Sequence, residues 1–538
     1  MNRCLQAPEI LQLICNQLPN DQKEDRQRLL ALALSCRALL EPALDRLWYK
    51  VRSLAFFIPT LPASLWKVES AAVTPGSRRK YTLVGLKRAI LKADFARYLS
   101  YYAPRIQEIE LGALTSTFTV EAWQGLQAAT SWKPGGMTPY VRTIRWDLSP
   151  RKDTPLSEKQ LNRAFPYLSL FAGPTTKSLH LTFNSAVAIQ MTSVQGAPNL
   201  CQALEEFSLT NVAGYWSTKA FIGDYLQSFS WQTLKVLKVT DVGHELYPSL
   251  SRLPNLTTLE ISNIHGTTPH YYDSMGNPET DYISAIPRDA FPSLEVLKLK
   301  AQELYYLSNF LQQIPPNNRL HTLKFTLTFM YDEEHIDTLL EALKHHCNPE
   351  SFRKLVLKES TPNLEVEEIE DLATYPRIDI LSALQNLTAL EVLSVSFSTE
   401  TVDLQPDDIT NITKYWPNLV KLKIDVDYPN TRPPSINHDE LLELIYGCPN
   451  LKKLGLRFDA TQISEEEEVP ECALYDTPAP IEKLWVCDSP IIRPSNWARF
   501  FEAHCPKLRM GATPLAVNGL PNYVPMVMYE RRWNSVTD

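Results

Sequence analysis

Glycine is scarce in this sequence: the chain has 17 glycines among 538 residues, and they are scattered. No glycine-rich phosphate loop, Gly-x-Ser-x-Gly element or His-Glu-x-x-His motif occurs. The nine cysteines form no Cys-x-x-Cys pair and no regular framework, which is typical of a reducing compartment. Nothing in the sequence therefore points to catalysis or to a cofactor, although a triad assembled from distant residues stays open. We expect a protein that is not an enzyme.

Long hydrophobic runs and a positive net charge are also missing. The most apolar stretch outside the predicted helices, Leu54 to Trp66, is interrupted by Pro59 and Pro62 and is too short to span a bilayer. The N-terminus lacks the basic, apolar and small residues of a signal peptide, so we expect a cytoplasmic or nuclear protein without a membrane partner. A net charge of -8 argues against general nucleic-acid binding.

The most informative stretch is Pro8 to Trp48, which predicts three short amphipathic helices. The first two have one apolar face each, formed by Leu11, Ile14 and Leu18 and by Leu29, Leu32, Cys36 and Leu39. Pro42 fits the first turn of the third helix. A unit below about 70 residues buries too little apolar surface to be stable alone. We therefore expect it to dock onto something.

This stretch resembles the F-box, the adaptor-docking module of cullin–RING ubiquitin ligases. The matching residues are Pro8-Glu9-Ile10-Leu11, Ile14, Leu18, Leu29-Leu30, Leu32, Ser35-Cys36-Arg37 and Leu47-Trp48. The chain departs from the family at Gln6-Ala7, which usually reads Leu-Pro, and at Leu39, which is usually Trp. The resemblance implies that a Skp-family adaptor binds to Pro8, Ile10, Leu11, Ile14, Leu18, Leu32, Ser35, Cys36 and Trp48. A plain helical cap on a larger domain is the alternative.

Farther along, a helix-like segment that stops at a proline is repeatedly followed by a Leu-x-x-Leu-x-Leu run. Clear copies start at Leu256, Leu294, Leu419 and Leu451. The middle apolar residues of the runs are Ile109, Ile144, Leu179, Phe207, Leu237, Leu259, Leu297, Leu323, Leu355, Leu393, Leu422, Leu454 and Leu484. Their spacing averages roughly 30 residues, slightly above the leucine-rich-repeat period. Alternation within each run predicts strands whose apolar residues point inward.

These runs resemble the leucine-rich repeats that commonly follow F-boxes, especially in fungal proteins. The fold class that we expect is α/β: a short three-helix F-box followed by a leucine-rich-repeat solenoid with parallel strands on its concave face. The boundaries that follow are 1–52 for the F-box-like module, 53–104 for a linker and helical cap, 105–515 for the solenoid and 516–538 for a tail. Ser64 to Lys80 is predicted to be a loop. His265–Asp289, Ser360–Tyr375 and Ala460–Pro480 are predicted insertions, two of them acidic.

His345-His346-Cys347 looks like a set of metal ligands in isolation. Cys347, however, shares its place in the repeat with Cys448 and Cys505, at the end of a helix just before a strand. This shared position favours small buried packing residues over metal binding.

The outward strand positions are rich in lysine, although the chain as a whole is acidic. Only Glu260 and Asp425 are acidic from the fifth repeat onward. The residues that we expect to bind a target on the concave face are Lys238, Lys298, Lys300, Lys324, Lys354, Lys358, Lys421, Lys423, Lys453, Arg457, Lys483 and Trp485. Such a basic stripe favours an acidic or phosphorylated segment. Lysines that serve solubility, or acidic insertions folded over the stripe, are the alternative.

Together the two resemblances imply the substrate receptor of an SCF-type ubiquitin ligase, monomeric within its complex. The receptor would supply placement of the target rather than a reactive group. A protein-interaction scaffold whose F-box-like part no longer docks is the second hypothesis.

Overall fold

The computed structural model describes residues 7–72, 80–112, 116–148, 158–184, 186–212, 231–240, 246–264, 290–301, 304–327, 334–360, 379–397, 402, 404–427, 433–463, 477–509 and 524–536. The chain divides into two compact units, Met1–Thr240 and Asp241–Asp538. Most of the predicted insertions 265–289, 360–375 and 460–480 lie outside the described residues.

The first unit contains helices and strands in alternation after an N-terminal group of helices. Its α-helices are α1 (Pro8–Gln17), α2 (Lys23–Ser35), α3 (Arg37–Trp48), α4 (Lys92–Arg97), α5 (Val120–Ala129), α6 (Glu158–Ala164) and α7 (Ala188–Gly196). Its strands are β1 (Lys50–Val51), β2 (Trp66–Ala72), β3 (Lys80–Leu86), β4 (Glu108–Leu111), β5 (Ser116–Phe118), β6 (Thr143–Asp147), β7 (Ser178–Phe183), β8 (Glu206–Asn211) and β9 (Val236–Val239).

The second unit continues the alternation. Its α-helices are α8 (Tyr247–Ser251), α9 (Leu304–Gln312), α10 (Glu334–His346), α11 (Ile380–Leu384), α12 (Pro406–Tyr415), α13 (His438–Gly447), α14 (Pro494–His504) and α15 (Val524–Asn534). Its strands are β10 (Thr258–Ile264), β11 (Val296–Ala301), β12 (Thr322–Leu327), β13 (Lys354–Glu359), β14 (Val392–Ser396), β15 (Lys421–Ile424), β16 (Lys453–Gly455) and β17 (Lys483–Trp485).

Each unit contains a parallel sheet built from one strand per repeat. In the first unit β1, β4, β6, β7, β8 and β9 pair in that order, and in the second β10 to β17 pair in chain order. The strand pairings described within these two sheets are parallel, and the helices lie between successive strands in the chain. The fold class is therefore the predicted one, α/β with leucine-rich-repeat geometry.

The middle apolar residue of each predicted run lies in the core and, within each unit, in register with that of the next run. Leu297 pairs with Leu323, and Leu323 with Leu355. All thirteen of these residues are at most 2% exposed, from Ile109 to Leu484. Because one strand and one helix cannot cover both faces of such a side chain, the core exists only through stacking of neighbouring repeats.

The proline that precedes a run ends the helix, as predicted. Helices α12, α13 and α14 stop at Tyr415, Gly447 and His504, each two residues before a proline. The residue before a proline is pushed out of the helical region, so the chain becomes extended there. Helix starts are equally local: Asn437 caps α13 by accepting a hydrogen bond from the Asp439 backbone N–H at 2.7 Å.

The third helix differs from its predicted position. Cys36 is fully extended, with φ -158° and ψ 159°, so α2 ends there and α3 begins at once at Arg37. Pro42 consequently lies inside α3 and is buried, rather than in its first turn. Leu39, predicted on the second helix, belongs to α3 and packs with α2 against the small core around Ala33.

The loop predicted for 64–80 is also different. Trp66–Ala72 forms β2, which pairs antiparallel with β3, and β3 pairs parallel with β5. Trp66 and Phe118 close this small sheet with ring centroids 5.5 Å apart. Thr74-Pro75-Gly76 and the basic run Arg78-Arg79-Lys80 predict a loop, but β2 and β3 are strands because they pair with each other and because β3 pairs with β5, which lies farther along the sequence.

The C-terminal segment predicted as a tail contains α15. The indole N–H of Trp533 donates to the Ser489 carbonyl at 2.9 Å, and its ring lies 5.8 Å from that of Trp497. Trp533 is 1% exposed. The helix therefore covers the apolar end of the last repeat, the capping that repeat proteins need.

Candidate functional site

Helices α1 and α2 expose large apolar side chains that the small N-terminal core does not use. These residues, which we call the apolar helix surface, are Ile10, Leu13, Ile14, Leu30 and Leu34. Leu13 is 62% exposed and Leu34 is 75% exposed. Leaving such side chains in water forgoes roughly 1.5–3 kcal/mol each relative to burial. On each of the two helices these side chains recur three or four residues apart, so each helix presents an apolar face to solvent.

The predicted adaptor residues separate into outward and inward sets. Pro8, Ile10, Ile14 and Ser35 are exposed, Leu18, Leu32, Cys36 and Trp48 are half-buried, and Leu11 is buried. Trp48 packs against Tyr102 with ring centroids 4.8 Å apart, and Leu32 packs on the core around Cys15. Leu13, Leu30 and Leu34 were not among the predicted residues, because they lie off the periodic apolar stripe that marks a core face.

The helices are joined to the sheet of the first unit by charged side chains. Arg105 forms ion pairs with Glu41 and Asp45 of α3, and its guanidinium lies 4.6 Å from the Tyr101 ring. Burial raises the pKa of Asp45, while Arg105 opposes that shift. After α3 the chain becomes β1, whose Lys50 pairs with Glu108 of β4 at 3.0 Å. The apolar helix surface is thus held in a defined place within this unit.

The basic stripe predicted on the open face is partly neutralised by the chain itself. Lys238 pairs with Glu206 at 2.8 Å, and Lys298 with Glu260 at 3.2 Å. Asp427 accepts from both Lys358, at 3.2 Å, and Lys423. Arg457 pairs with Asp488 at 2.6 Å. Each of these basic side chains therefore already has an acidic partner within the chain.

The remaining lysines show no ion pair within the described ranges. They are Lys300, Lys324, Lys354, Lys421, Lys453 and Lys483. Lys421, Lys453 and Lys483 occupy one register position on three adjacent strands. Lys354 occupies the same position two strands earlier, across Val392. Neighbouring strands lie about 4.8 Å apart, well within the screening length of about 8 Å at physiological salt, so these charges repel one another.

Lys421 shows this repulsion. Its pKa lies below the usual lysine value because of burial first, and then because of Lys423, Lys358, Lys354 and Lys453. A negative charge placed over this row would oppose the repulsion.

Trp485 lies beside these lysines, in register with Gly455 and Lys423. The Lys421 and Lys423 ammonium nitrogens lie 5.8 Å and 5.6 Å from the centre of its ring, within cation–π range. A Cβ on Gly455 would come within 2.7 Å of Lys423 Cγ, so glycine here lets the lysine cross β16. We call Lys354, Lys421, Lys453, Lys483 and Trp485 the lysine–tryptophan patch.

A buried carboxyl group lies at the ends of the same strands. Asp425 follows β15 with a positive φ of 47° and lines a small cleft beside Arg457. Burial raises the pKa of Asp425 to about 8, against the opposing field of Arg457. One of its carboxyl oxygens has no hydrogen-bond partner. The Arg457–Asp488 pair is therefore accompanied by a carboxyl group that holds its proton at neutral pH.

The side chains of His345, His346 and Cys347 do not share a site, because each has different surroundings. His345 is exposed and pairs with Glu341 at 3.1 Å, while His346 Nδ1 contacts the Ile314 carbonyl at 2.6 Å. Cys347 is buried, as are Cys448 and Cys505, which confirms their predicted packing role. Burial raises the pKa of both Cys448 and Cys505 to about 12. The part of the chain that the structure describes holds no group of three or more side chains arranged to bind a metal.

None of the described helices combines the length and apolar character of a membrane-crossing segment.

No protein-family model matches the chain, and no curated protein matches it. Among solved structures, the crystal structure of an internalin from Listeria monocytogenes is similar at 11% identity and a TM-score of 0.33, over 95% of this chain and 98% of that one. The register of the chain's own strands, rather than this similarity, therefore shows the fold class. The protein is an α/β protein with leucine-rich-repeat geometry.

Proposed function

We propose that this chain is the substrate receptor of an SCF-type cullin–RING ubiquitin ligase. The N-terminal helices dock a Skp-family adaptor, and the repeats bind a protein target. The receptor acts in the cytoplasm or nucleus as one copy within its complex and contributes no reactive group. Its role is to hold the target near a ubiquitin-charged enzyme, so that a bimolecular transfer becomes effectively intramolecular.

The observation that carries the proposal is the apolar helix surface. Ile10 and Ile14 coincide with the F-box pattern, and they are exposed rather than used in the core. Leu13, Leu30 and Leu34 enlarge the same exposed set. The inward residue Leu11 is instead buried, and Trp48 packs the helices against Tyr102 in the helical turn before β4. An adaptor-docking module on a larger domain requires both sets of side chains: exposed apolar residues for the adaptor and inward residues that hold the helices in place.

Retention of a purified Skp-family adaptor by the full-length chain tests the proposal. Wild type is expected to retain the adaptor, and Ile14→Asp and Leu34→Asp are each expected to weaken retention at least about tenfold, since a charge would be buried in the interface. Leu18→Asp is expected to abolish retention, with some loss of helix stability because Leu18 is half-buried.

Ile492→Asp is the matched control, because Ile492 is 56% exposed and lies in the second unit. It should leave adaptor retention unchanged. If wild-type protein never retains the adaptor, the ligase proposal fails and the interaction scaffold remains. If Ile492→Asp weakens retention as much as Ile14→Asp, the assigned surface is wrong.

A further inference from the structure

Strand β2 forms one edge of the small sheet in the first unit, whose strand order is β2, β3, β5. Thr119 donates its backbone N–H to the Val84 carbonyl at 2.9 Å, so the backbone of Val84 bonds toward β5. Val68 lies opposite Val84 in the antiparallel pair and therefore makes no ladder bond to β3. By the same alternation, the N–H and C=O groups of both Val68 and Ser70 point away from the sheet.

This edge lacks the features that usually prevent strand pairing, which are unpaired charges, prolines and bulges. The register from Trp66 to Ala72 is continuous, and β2 contains no proline. Its two charged side chains, Lys67 and Glu69, pair with each other at 2.6 Å. They point to the face opposite the Val68 side chain, which is 55% exposed. The edge of β2 can therefore accept another strand.

A groove of about 620 Å³ lies beside this edge. Its walls are residues 58–63, which follow from the helical turn Leu54–Thr60, and helix α4. Apolar side chains line most of it, namely Ile58, Pro59, Pro62, Ala63, Val68 and Ala93. Val68 belongs to both features, because its side chain lines the groove while its backbone groups point to the free edge. A strand added to β2 would place every second side chain on the groove side of the sheet.

Two charged side chains line the groove, and only one of them has a charged partner. Asp94 accepts from the Arg88 guanidinium twice, both times at 2.8 Å, and from the Leu91 backbone N–H, which lowers its pKa to about 2. Arg97 has no acidic partner among the described residues, and its guanidinium lies 5.8 Å from the centre of the Tyr102 ring. The groove thus presents one unmatched positive charge, which is complementary to a carboxylate.

We propose that the edge of β2 and this groove bind an extended segment of a partner protein that carries a carboxylate and apolar side chains at alternate positions. The segment pairs with the backbone of Val68 and Ser70, places apolar side chains in the groove and brings its carboxylate to Arg97. A fatty acid has the apolar and acidic parts but cannot form the ladder bonds. The proposal goes beyond the proposed function, since this site shares no residue with the apolar helix surface or with the repeats' lysines.

Selection of random peptides on the full-length protein, followed by fluorescence anisotropy of a labelled synthetic copy, tests the proposal. The peptides have about seven residues, close to the length of a typical strand. The selected sequences are expected to share an acidic residue and alternating apolar residues. Val68→Pro should lower the affinity at least about tenfold, because it removes an outward N–H and none of the bonds to β3.

Arg97→Gln is expected to weaken the selected peptide at least about tenfold. A peptide whose acidic residue is replaced by its amide should bind wild type and Arg97→Gln equally, which assigns the carboxylate to Arg97. Lys92→Gln is the matched control, because Lys92 is exposed on α4 and does not line the groove. It should change the affinity less than about twofold.

Ala93→Phe fills the groove without removing a buried contact, since Ala93 is exposed, and should weaken binding at least about tenfold. Ala96→Phe makes the same change at an exposed position of α4 outside the groove and should leave binding intact. A peptide methylated on alternate backbone nitrogens, so that it cannot donate to β2, should bind much more weakly. If thermal unfolding shows that Val68→Pro does not fold, the methylated peptide still tests strand pairing.

Five outcomes would overturn the proposal. They are the absence of any enriched peptide, equal binding of the methylated peptide, equal loss in Ala93→Phe and Ala96→Phe, and competition by decanoate as strong as by unlabelled peptide. The fifth is a dimer of the free protein that Val68→Pro separates, which would mean that a second copy covers the edge. None of these measurements contains the adaptor, so failure here and failure of adaptor retention are separate results.

Discussion

Single residues have unusual backbone conformations where the strands of the last repeats end. Asp425 and Cys487 both have a positive φ, and Arg457 occupies the equivalent place on the strand between them. Non-glycine residues in this region of φ carry local strain, which the surrounding packing must hold. The Asp425 carboxyl faces Arg457, Asp488 and the backbone N–H groups of Phe397 and Val402. Its proton therefore links folding to pH.

Asp425→Asn is expected to flatten the pH dependence of stability. The folded protein keeps the Asp425 proton up to about pH 8, whereas the unfolded chain releases it near 3.8. Between these values the folded state binds more protons, so wild-type stability falls as pH rises. Asn has no such proton to lose. Between pH 4 and pH 8, the melting temperature of Asp425→Asn relative to that of wild type should therefore increase as the pH rises.

The control for this prediction is Asp407→Asn, which changes an exposed aspartate in the first turn of α12. Its profile should run parallel to that of wild type. A parallel profile for Asp425→Asn as well would show that the Asp425 carboxyl is ionised in the folded protein throughout this range.

Among the elements, the attachment of the N-terminal helices depends on a few contacts. Arg105 is the main one: its side chain is 10% exposed and contacts Glu41, Asp45 and Tyr101. Arg52 adds a hydrogen bond to the Asp21 carbonyl at 2.6 Å and an ion pair with Glu110 of β4 at 3.3 Å. The helices are therefore rigidly placed through polar contacts, while their apolar residues stay available on the outer side.

Arg105→Ala is expected to loosen α1 to α3 selectively. Removing the guanidinium leaves the partly desolvated Asp45 without its partner, at a cost of about 1–2 kcal/mol. Hydrogen exchange of 8–48 should become faster, while exchange of 438–458 should not change. Arg88→Ala is the control, since Arg88 pairs with Asp94 at 2.8 Å on the surface, and exchange of 8–48 should remain as in wild type. Equal protection in Arg105→Ala and wild type would contradict this role.

At the scale of the whole molecule, stability depends on neighbouring repeats that share one core in each unit. Leu323 lies between Leu297 and Leu355 in register and is fully buried. Its methyl groups contact the neighbouring repeats, so damage at one strand affects the stacking on both sides. The exposed partner position on the same strand, Lys324, does not take part in this core.

Leu323→Ala is therefore expected to destabilise the protein by about 2–5 kcal/mol, through lost burial and a residual cavity. Lys324→Ala should cost far less, because the change lies on the open face. Urea unfolding followed by circular dichroism measures both. A cost for Leu323→Ala as small as that for Lys324→Ala would mean that the repeats do not share a continuous core.

Much of the fold could be predicted from the sequence because it depends on short-range patterns. The alternation around Leu297 and Leu323 and the prolines at 417, 449 and 506 each act within a few residues. The third helix was misplaced because nothing in the sequence marks Cys36 as extended. The hairpin at Trp66 and the α15 cap at Trp533 were missed, since their apolar partners lie far along the chain.

The sequence by itself determined which strand residues face the core, which helices end before a proline and which positions carry lysine. Only the tertiary structure decided which lysines are neutralised and which apolar side chains stay exposed. Lys358 and Asp427 are 69 residues apart in the chain, and Arg105 and Glu41 are 64 apart. Periodicity reports the local backbone, whereas charge pairing and exposure depend on contacts between distant segments. For that reason a uniform basic stripe in the sequence becomes, among the described residues of the folded protein, a mixture of lysines that have an acidic partner and lysines that have none.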